Sequence, residues 1–290
     1  KLKFKKKDIT VENLETFDFS KVQVTFFSAG GKVSEQYAPL AAKHSIVIDN
    51  SSHFRMDPDV PLIVPQVNSS DLNNVKKNII ANPNCSTAQL VIVIKPLHDL
   101  FKITRVVIST YQSTSGGGKA PMDELVEQTK LSLENKKITS KNFTKQIAFN
   151  AIPHIDLFVD EGYTKEELKM VNETKKIIDD KIELTATCVR IPVMVSHAES
   201  LNIEFEQSFT LEKIRDALNN ANGCKVIDER KDGGYITPIE AEGNNETFIS
   251  RIRKDNSKRN SINLWCVSDN LLRGAALNAV EIAEAYIKNK

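Results

Sequence analysis

The chain has 290 residues, 40% of them hydrophobic, with 39 basic and 38 acidic side chains and a net charge of +1. That length allows a substantial core and predicts roughly two domains. The balanced charge argues against a general binder of nucleic acids or membrane surfaces, so we expect small-molecule and protein partners, with no nucleic acid and no membrane. No run reaches the roughly 20 apolar residues that a membrane-spanning helix requires.

The four cysteines stand far apart, at positions 85, 188, 224 and 266. They form no Cys-x-x-Cys pair, and no two histidines stand at ligand spacing, so we expect no metal site. Reduced thiols are typical of the cytosol, and we therefore predict a cytoplasmic protein.

The first third of the chain predicts a parallel sheet. Apolar runs indicate strands buried on both faces, at 22–29, 46–49, 62–67 and 78–81. Ser28-Ala29-Gly30-Gly31 separates the first strand from a helical segment at 34–43. Its glycines let a ligand approach the backbone, and a helix start suits phosphate, although two glycines are more often a plain turn. The lysine-rich residues 1–7 predict a solvated edge or a frayed end.

From residue 105 onward the pattern predicts an α+β arrangement. Strands are expected at 105–112 and 184–191, and Leu201, Ile203 and Phe205 alternate with polar residues. That alternation predicts an antiparallel sheet with one solvated face. Three helices are expected, at 121–133, 166–178 and 211–219. A last helix, at 271–288, is expected to pack on the first sheet.

Cys85 stands where the strand at 78–81 ends and a long apolar helix begins. Unsatisfied N–H groups at a helix start lower the pKa of a thiol, so this position predicts a nucleophile. The alternative is a buried structural cysteine, since free cysteine is among the most buried residue types.

Arg190 and His197 follow in one strand-to-loop segment. An arginine among valine and isoleucine is costly to bury unless an anion meets it, and either an internal carboxylate or a substrate carboxylate would serve. His197 is a candidate base for the cysteine, in competition with His44, His53, His98 and His154.

Two further features admit bland explanations. Glu166 and Lys169 share a helix face at spacing i, i+3, which is typical of a surface ion pair. Gly116-Gly117-Gly118-Lys119 lacks the spacing of a P-loop and is equally typical of a flexible turn, with Gln112 beside it at a strand end.

Together these segments resemble the aspartate-semialdehyde dehydrogenase family, from about Lys7 to the C-terminus. The motifs that carry the resemblance occur in the family's order: Phe26-Phe27-Ser28-Ala29-Gly30-Gly31, Val47-Ile48-Asp49-Asn50-Ser51-Ser52 with Phe54-Arg55-Met56, Asn82-Pro83-Asn84-Cys85-Ser86-Thr87, Thr110-Tyr111-Gln112, Cys188-Val189-Arg190-Ile191-Pro192-Val193 with His197, and Asp269-Asn270-Leu271-Leu272-Arg273-Gly274-Ala275.

The resemblance implies an α/β fold with a Rossmann-like dinucleotide-binding domain and an α+β catalytic and dimerisation domain of the glyceraldehyde-3-phosphate dehydrogenase-like type. The first domain is expected at 1–84 with 265–290, and the second at 85–264. The implied activity is NADP-dependent reductive dephosphorylation of L-aspartyl 4-phosphate to L-aspartate 4-semialdehyde by a homodimer. This reaction serves lysine, diaminopimelate, threonine and methionine biosynthesis.

The resemblance also implies roles for individual residues. In the reverse direction Cys85 attacks the aldehyde carbon, hydride leaves for the nicotinamide, and inorganic phosphate releases the thioester. His197 is the implied acid/base group, Gln112 orients the substrate, and Arg190 clamps the α-carboxylate. The other implied roles are the substrate amino group for Glu166, phosphate for Arg55, Asn84 and Lys169, and the cofactor for Ser28, Ala29, Gly30, Ser51, Gly117 and Asn270.

One departure concerns the cofactor loop. The family opens with a strand and a Gly-x-x-Gly-x-x-Gly loop that holds pyrophosphate at a helix start, and nothing of that kind precedes Lys7. The dinucleotide domain in this sequence is therefore expected to be incomplete at its N-terminal end, and if no such loop precedes Lys1 in the cell, we expect weak cofactor binding.

Two other functions stay open at this stage. N-acetyl-glutamyl-phosphate reductase shares the implied fold and thioester chemistry, but the Asn-Pro-Asn-Cys and Thr-Tyr-Gln motifs argue against it. A catalytically impaired remnant would act only as a dimerising or structural chain.

Overall fold

The computed structural model describes residues 2–289, which fold into three sheets and eight α-helices. The strands are β1 (Leu2–Phe4), β2 (Lys7–Ile9), β3 (Val24–Phe27), β4 (Ile46–Asp49), β5 (Ile79–Ala81), β6 (Ile103–Gln112), β7 (Glu183–Arg190), β8 (His197–Phe205), β9 (Cys224–Val226), β10 (Thr247–Lys254) and β11 (Ser261–Ser268). The helices are α1 (Gly31–Ala41), α2 (Pro65–Asn68), α3 (Cys85–Phe101), α4 (Lys119–Leu133), α5 (Lys165–Ile177), α6 (Leu211–Asn220), α7 (Pro238–Ala241) and α8 (Leu277–Lys288). Within this range, no helix has the length and apolar character needed to cross a membrane.

Strands β3, β4 and β5 form a parallel sheet in that order. Strands β4 and β5 are buried on both faces because helices cover both faces of the sheet. Helices α1 and α3 pack on one face, and α8 packs on the other, where Ile282 joins a cluster with Ile48 and Ile80. The predicted strands near 22–29, 46–49 and 78–81 are confirmed, as is the packing of the last helix.

The second sheet has six strands in the order β7-β6-β8-β11-β10-β9. Its four central strands run antiparallel, whereas β7 pairs parallel with β6 and β9 pairs parallel with β10. The expectation of an antiparallel sheet therefore fails at both edges. At the β7 edge, the reason is the connection from β6 to β7, which crosses over through α4 and α5 and returns the chain in the same direction.

The predicted strand at 62–67 is wrong. Leu62 makes one isolated bridge with Ala81, and Pro65 then begins the short helix α2. Proline lacks the N–H that a central strand needs, whereas it fits the first turn of a helix. Leu62, Ile63 and Val64 are nevertheless fully buried, so the apolar run signalled burial and not a strand.

Two hairpins were not predicted from the sequence. Strands β10 and β11 lacked a distinct signal, because β10 carries several charged residues in Thr247–Lys254. Near the N-terminus, β1 and β2 pair as an exposed antiparallel hairpin where a solvated edge or a frayed end was expected. Lys1 itself lies outside the described residues.

Helix α3 joins the two sheets. Its 17 residues include 12 that are buried, and they contribute to the cores beneath both the six-stranded and the three-stranded sheet. The helix begins at Cys85, because the Asn84 side chain accepts hydrogen bonds from the N–H groups of Ser86 and Thr87. The start of α3 therefore lies at the junction of the two sheets.

A matched pair of leucines tests this core. Leu97 of α3 is fully buried, and Leu100 of the same helix is 52% exposed. We expect Leu97→Ala to lower the free energy of unfolding by about 2–5 kcal/mol through loss of contacts and the cavity left behind. Leu100→Ala should change it by less than about 0.5 kcal/mol. Equal losses in denaturant unfolding would contradict the placement of the core.

Candidate active site

A cleft of about 780 Å³ opens where the carboxyl ends of the parallel strands face the six-stranded sheet. Ligands of open α/β sheets bind at such carboxyl ends. Eleven predicted site residues line it: Ser28, Gly30, Arg55, Asn84, Cys85, Gln112, Gly117, Glu166, Lys169, Arg190 and Asn270. The other three predicted residues, Ala29, Ser51 and His197, do not line the cleft wall.

Cys85 is the first residue of α3 and lies against the turn at residues 272–276. A Cβ on Gly274 would lie 2.6 Å from the Cys85 Cβ, so glycine is required for this close approach. Burial, reinforced by the charge of Glu166, raises the pKa of the Cys85 thiol to about 12. The expected lowering of the Cys85 pKa is therefore wrong, because desolvation outweighs the helix start and the two nearby arginines.

Asn84 is fixed by several contacts. Its Oδ1 caps α3, while its Nδ2 donates to Oε1 of Glu166 at 3.0 Å. Its backbone N–H donates to Oε2 of Glu173 at 2.6 Å. Both carboxylates belong to α5, so that helix determines where the residue preceding Cys85 sits.

Glu166 and Lys169 form a largely buried pair and not a surface one. Lys169 Nζ lies 3.1 Å from Oε2 of Glu166 and 2.7 Å from Oδ2 of Asp156. Gln112 also donates to Glu166, through Nε2 at 3.1 Å. Burial favours the neutral carboxyl, but Lys169 and the two amide donors outweigh it and lower the pKa of Glu166. The cleft therefore holds an anion and a cation side by side.

Arg190 is buried without a carboxylate partner. Its Nη1 donates to the backbone oxygen of Ser113 at 2.6 Å, and among residues 2–289 it makes no ion pair within 4.0 Å. Of the two explanations offered by the sequence, the internal salt bridge is therefore absent. A buried guanidinium with donors left over favours binding of an external anion.

His197 lies behind the glycine loop, fully buried. The backbone N–H of Ser113 donates to its Nδ1 at 3.1 Å, so the neutral ring carries its proton on Nε2. Burial and the charge of Arg190 lower the pKa of His197 to about 3. A Cβ on Gly116 would lie 2.8 Å from Arg190 Nη1 and 3.0 Å from His197 Nε2, so only glycine fits where this loop passes the two side chains.

Asn270 organises the loop beside His197. Its Oδ1 accepts hydrogen bonds from Ser113 Oγ and Ser115 Oγ at 3.1 Å each, and from the Ser196 N–H at 2.9 Å. With three donors on one oxygen, the orientation of the amide is fixed, and the side of Asn270 that lines the cleft presents Nδ2.

Arg55 is more constrained than the sequence implied. It donates through Nε to the Asn82 carbonyl at 2.9 Å, through Nη2 to the Asn50 carbonyl at 3.0 Å, and through Nη1 to Glu173 at 3.1 Å. A guanidinium has five N–H donors, so these contacts leave two of them for a ligand. Asn50 and Asn82 follow β4 and β5, which ties Arg55 to the sheet edge.

The Ser28–Gly30 loop provides the side of the cleft suited to a dinucleotide phosphate. Gly30 has a φ of 91°, a conformation that favours glycine, and it precedes the 11-residue helix α1 without a side-chain cap. The free N–H groups of that helix start therefore face a cradle that fits an anion. Ser51 is instead buried against Asp49, to which its Oγ donates at 2.8 Å, while Asn50 and Ser52 line the cleft.

Four residues that shape the site were not predicted as site residues from the sequence: Glu173, Gly116, Gly274 and Ser113. Glu173 had a usable signal, because it follows Glu166 by seven residues and so lies on the same face of α5. The backbone contacts of Ser113 and the close approaches at the two glycines had none, since they depend on loops folded against distant elements.

Two family models match most of the chain. One, described as the semialdehyde dehydrogenase NAD binding domain, matches residues 1–75. The other, described as the semialdehyde dehydrogenase dimerisation domain, matches residues 94–273. With the mixed α/β sheets described above, they define an oxidoreductase of the semialdehyde dehydrogenase class.

Individual proteins narrow the class. The aspartate-semialdehyde dehydrogenase of Aquifex aeolicus is 50% identical over 292 residues, covering 99% of this chain and 86% of that protein. A structure of aspartate semialdehyde dehydrogenase II complexed with ASA, from Vibrio cholerae, matches with a TM-score of 0.96 at 44% identity, covering 99% and 86% of the two chains. The chain therefore belongs to the aspartate-semialdehyde dehydrogenase family, and the resemblance and fold class inferred from its motifs are confirmed.

A more distant structure shares the fold alone. An aspartate semialdehyde dehydrogenase with NADP from Candida albicans matches with a TM-score of 0.76 at 23% identity, covering 98% of this chain and 83% of that one.

The pKa values of Cys85 and His197 predict how the free thiol reacts. With a thiol pKa of about 12, the alkylation rate by iodoacetamide should rise about tenfold per pH unit from pH 7 to 9 without a plateau. Because His197 stays neutral above its pKa of about 3, His197→Asn should leave that slope unchanged. Modification of the Cys85 peptide is followed by mass spectrometry. A plateau near pH 7 that His197→Asn removes would indicate a thiolate–imidazolium pair and contradict this expectation.

Proposed function

We propose that this protein catalyses NADP-dependent reductive dephosphorylation of L-aspartyl 4-phosphate to L-aspartate 4-semialdehyde through a thioester on Cys85. One observation carries the proposal: a cysteine at a helix start shares a cleft with an arginine that lacks an internal carboxylate partner and with a buried Glu166–Lys169 pair. Residues 1–84 with 265–290 would form the dinucleotide-binding domain, and residues 85–264 the catalytic and dimerisation domain.

The charges of the cleft complement those of the proposed substrate. The donors of Arg190 that the protein leaves unused would bind the α-carboxylate, and Glu166 would accept from the α-amino group. Lys169, with the two remaining donors of Arg55 and the amide of Asn84, would bind the phosphate at the other end. Phosphate binding would compete with Asp156 for Lys169, since that ammonium already lies 2.7 Å from the Asp156 carboxylate.

In the direction that oxidises the semialdehyde, the proposed chemistry uses the neutral Cys85 thiol and the neutral His197 imidazole. Attack joins Sγ of Cys85 to the aldehyde carbon and the thiol proton passes to the aldehyde oxygen, while His197, whose Nε2–H would donate a hydrogen bond to that oxygen, would serve as the acid/base group. Gln112, whose Nε2 is already directed to Glu166, helps orient the substrate. After hydride loss and release of the hydroxyl proton to solvent, a phosphate oxygen attacks the thioester carbonyl and frees the Cys85 sulfur.

We propose NADP as the cofactor, which supplies the hydride acceptor in that direction. The helix start after Gly30 fits one of its phosphates, and the exposed edge of Gly117 and the amide of Asn270 lie on the same cleft wall. Ser28 and Ala29 would contact it through the same loop. Ser51 would contribute indirectly by fixing Asp49 beneath the loop.

The proposed product serves lysine, diaminopimelate, threonine and methionine biosynthesis. All four cysteines are free, which supports a reducing compartment such as the cytoplasm.

Turnover and the nucleophile are tested together. The purified chain should reduce NADP with L-aspartate 4-semialdehyde only when inorganic phosphate is present, and NAD should be a poorer acceptor. Cys85→Ala should abolish that activity because no other group can form the thioester. Cys224→Ala, a substitution of a thiol outside the cleft, is the control and should retain it. Activity that survives in Cys85→Ala would exclude the thioester mechanism, and an inactive but dimeric wild type would favour the structural remnant.

We also propose a homodimer that pairs the face of the six-stranded sheet opposite α3. Half-buried side chains such as Ser109, Ser200 and Asn202 lie on this face, and the matched dimerisation-domain model spans it. Such a surface suits a self-complementary interface between two copies.

Sedimentation tests the dimer. We expect twice the chain mass of 32.5 kDa, and a monomer for Ser200→Arg, which places a long cation at the centre of the face. Ser208→Arg, on an exposed loop, is the matched control and should stay dimeric. A monomeric wild type, or a dimeric Ser200→Arg, would count against this interface.

A further inference from the structure

Glu173 is a buried carboxylate that none of the proposed steps uses. It lies on α5, two turns after Glu166, and is 1% exposed. Burial raises its pKa even though Arg55 lies beside it, so the fold holds this group at an electrostatic cost.

Its two oxygens have separate partners, and both partners line the cleft. Oε2 accepts the backbone N–H of Asn84 at 2.6 Å, and Oε1 accepts Nη1 of Arg55 at 3.1 Å. The first contact fixes the residue that caps α3 and precedes Cys85. The second fixes the rotation of a guanidinium whose other contacts are the carbonyls of Asn50 and Asn82.

We propose that Glu173 is a positioning residue that sets both the nucleophile loop and the phosphate-binding face of Arg55. Because a guanidinium is planar, three fixed donors determine where its remaining two N–H groups point. The same side chain sets the backbone direction at Asn84, and hence where Cys85 enters the cleft. The role of Arg55 in phosphate binding rests on the proposed function, whereas the placement of Cys85 does not.

The geometry distinguishes positioning from mere stability. A buried ion pair is often replaceable by apolar groups without loss of stability, so stability alone does not require a carboxylate here. Satisfying an N–H donor on each of two oxygens does require one, because an amide presents only one acceptor. Glu173→Gln therefore keeps the volume of the side chain and removes one of the two contacts.

The first experiment measures protection of Cys85 by inorganic phosphate against iodoacetamide, which needs no turnover. In Glu173→Gln, the phosphate concentration that halves the alkylation rate should rise roughly tenfold or more as Arg55 loses its orientation. Glu124→Gln is the matched control, because Glu124 is also buried and accepts two backbone N–H groups, from Lys141 and Asn142, away from the cleft. Its protecting concentration should stay at the wild-type value.

Steady-state kinetics provide the second readout. Glu173→Gln should raise the KM for phosphate and lower kcat roughly 10- to 100-fold, while the KM for the semialdehyde, bound by Arg190 and Glu166, stays within about twofold. A residue that only stabilised the fold would lower the melting temperature and leave the phosphate KM unchanged. Glu173→Asp keeps the charge but shortens the reach, so it reports the same shifts if Glu173→Gln fails to fold.

The outcomes separate the two proposals. Phosphate protection that is equal in the wild type and both Glu173 variants, with kcat also unchanged, would overturn the positioning role. Protection that is absent from the wild type would overturn the part of the proposal that concerns the phosphate-binding face of Arg55. The protecting phosphate concentration could rise in Glu173→Gln while the wild type shows no phosphate-dependent NADP reduction. That result would overturn the proposed reaction and leave the positioning role standing.

Discussion

The arrangement of this cleft depends on the fixed conformation of Asn84. Its side-chain oxygen begins α3, its amide nitrogen meets Glu166, and its backbone N–H meets Glu173. Helix α3 then carries the core of both sheets, so the residue that starts the helix also couples the two halves of the molecule. Cys85 inherits its position from these contacts.

A second constraint is the uneven distribution of charge across the cleft. Arg55 has an internal carboxylate partner in Glu173, whereas within residues 2–289 Arg190 donates to a backbone carbonyl and forms no ion pair. Glu166 and Lys169 compensate each other, with Asp156 as an additional anion. Desolvation is costly for each group, so the cleft favours binding of a molecule that brings its own carboxylate, amine and phosphate. Between a pKa of about 3 for His197 and about 12 for Cys85, both groups are neutral, because neither has enough counter-charge to offset burial. Their activation therefore depends on what the substrate brings.

The sequence predicted which residues form the site better than it predicted the pKa values of those residues. Eleven of the fourteen site residues inferred from motifs line one cleft. Some of these motifs follow strands of the parallel sheet, whereas Gln112 and Arg190 end β6 and β7 of the other sheet and Glu166 and Lys169 lie on α5. The direction of the Cys85 pKa shift was wrong, since a helix start is visible in the sequence whereas the degree of desolvation is not. The strand expected at 62–67 failed because Pro65 prevents it, although the burial of Leu62 to Val64 was correctly indicated by their apolar character.

By itself the sequence determined the family, the parallel strands, the helices and the chemical types available to the site. Those properties follow from local periodicity and from short motifs whose residues are close in the chain. Only the tertiary structure decided which charges are paired: that Arg55 is held by Glu173 and that Arg190 is not held by any carboxylate of residues 2–289. Those contacts join residues more than 70 positions apart, and the cost of burying each group depends on everything that packs around it. Local sequence carries no record of that environment, which is why the tautomer of His197 and the protonation of Cys85 required the fold.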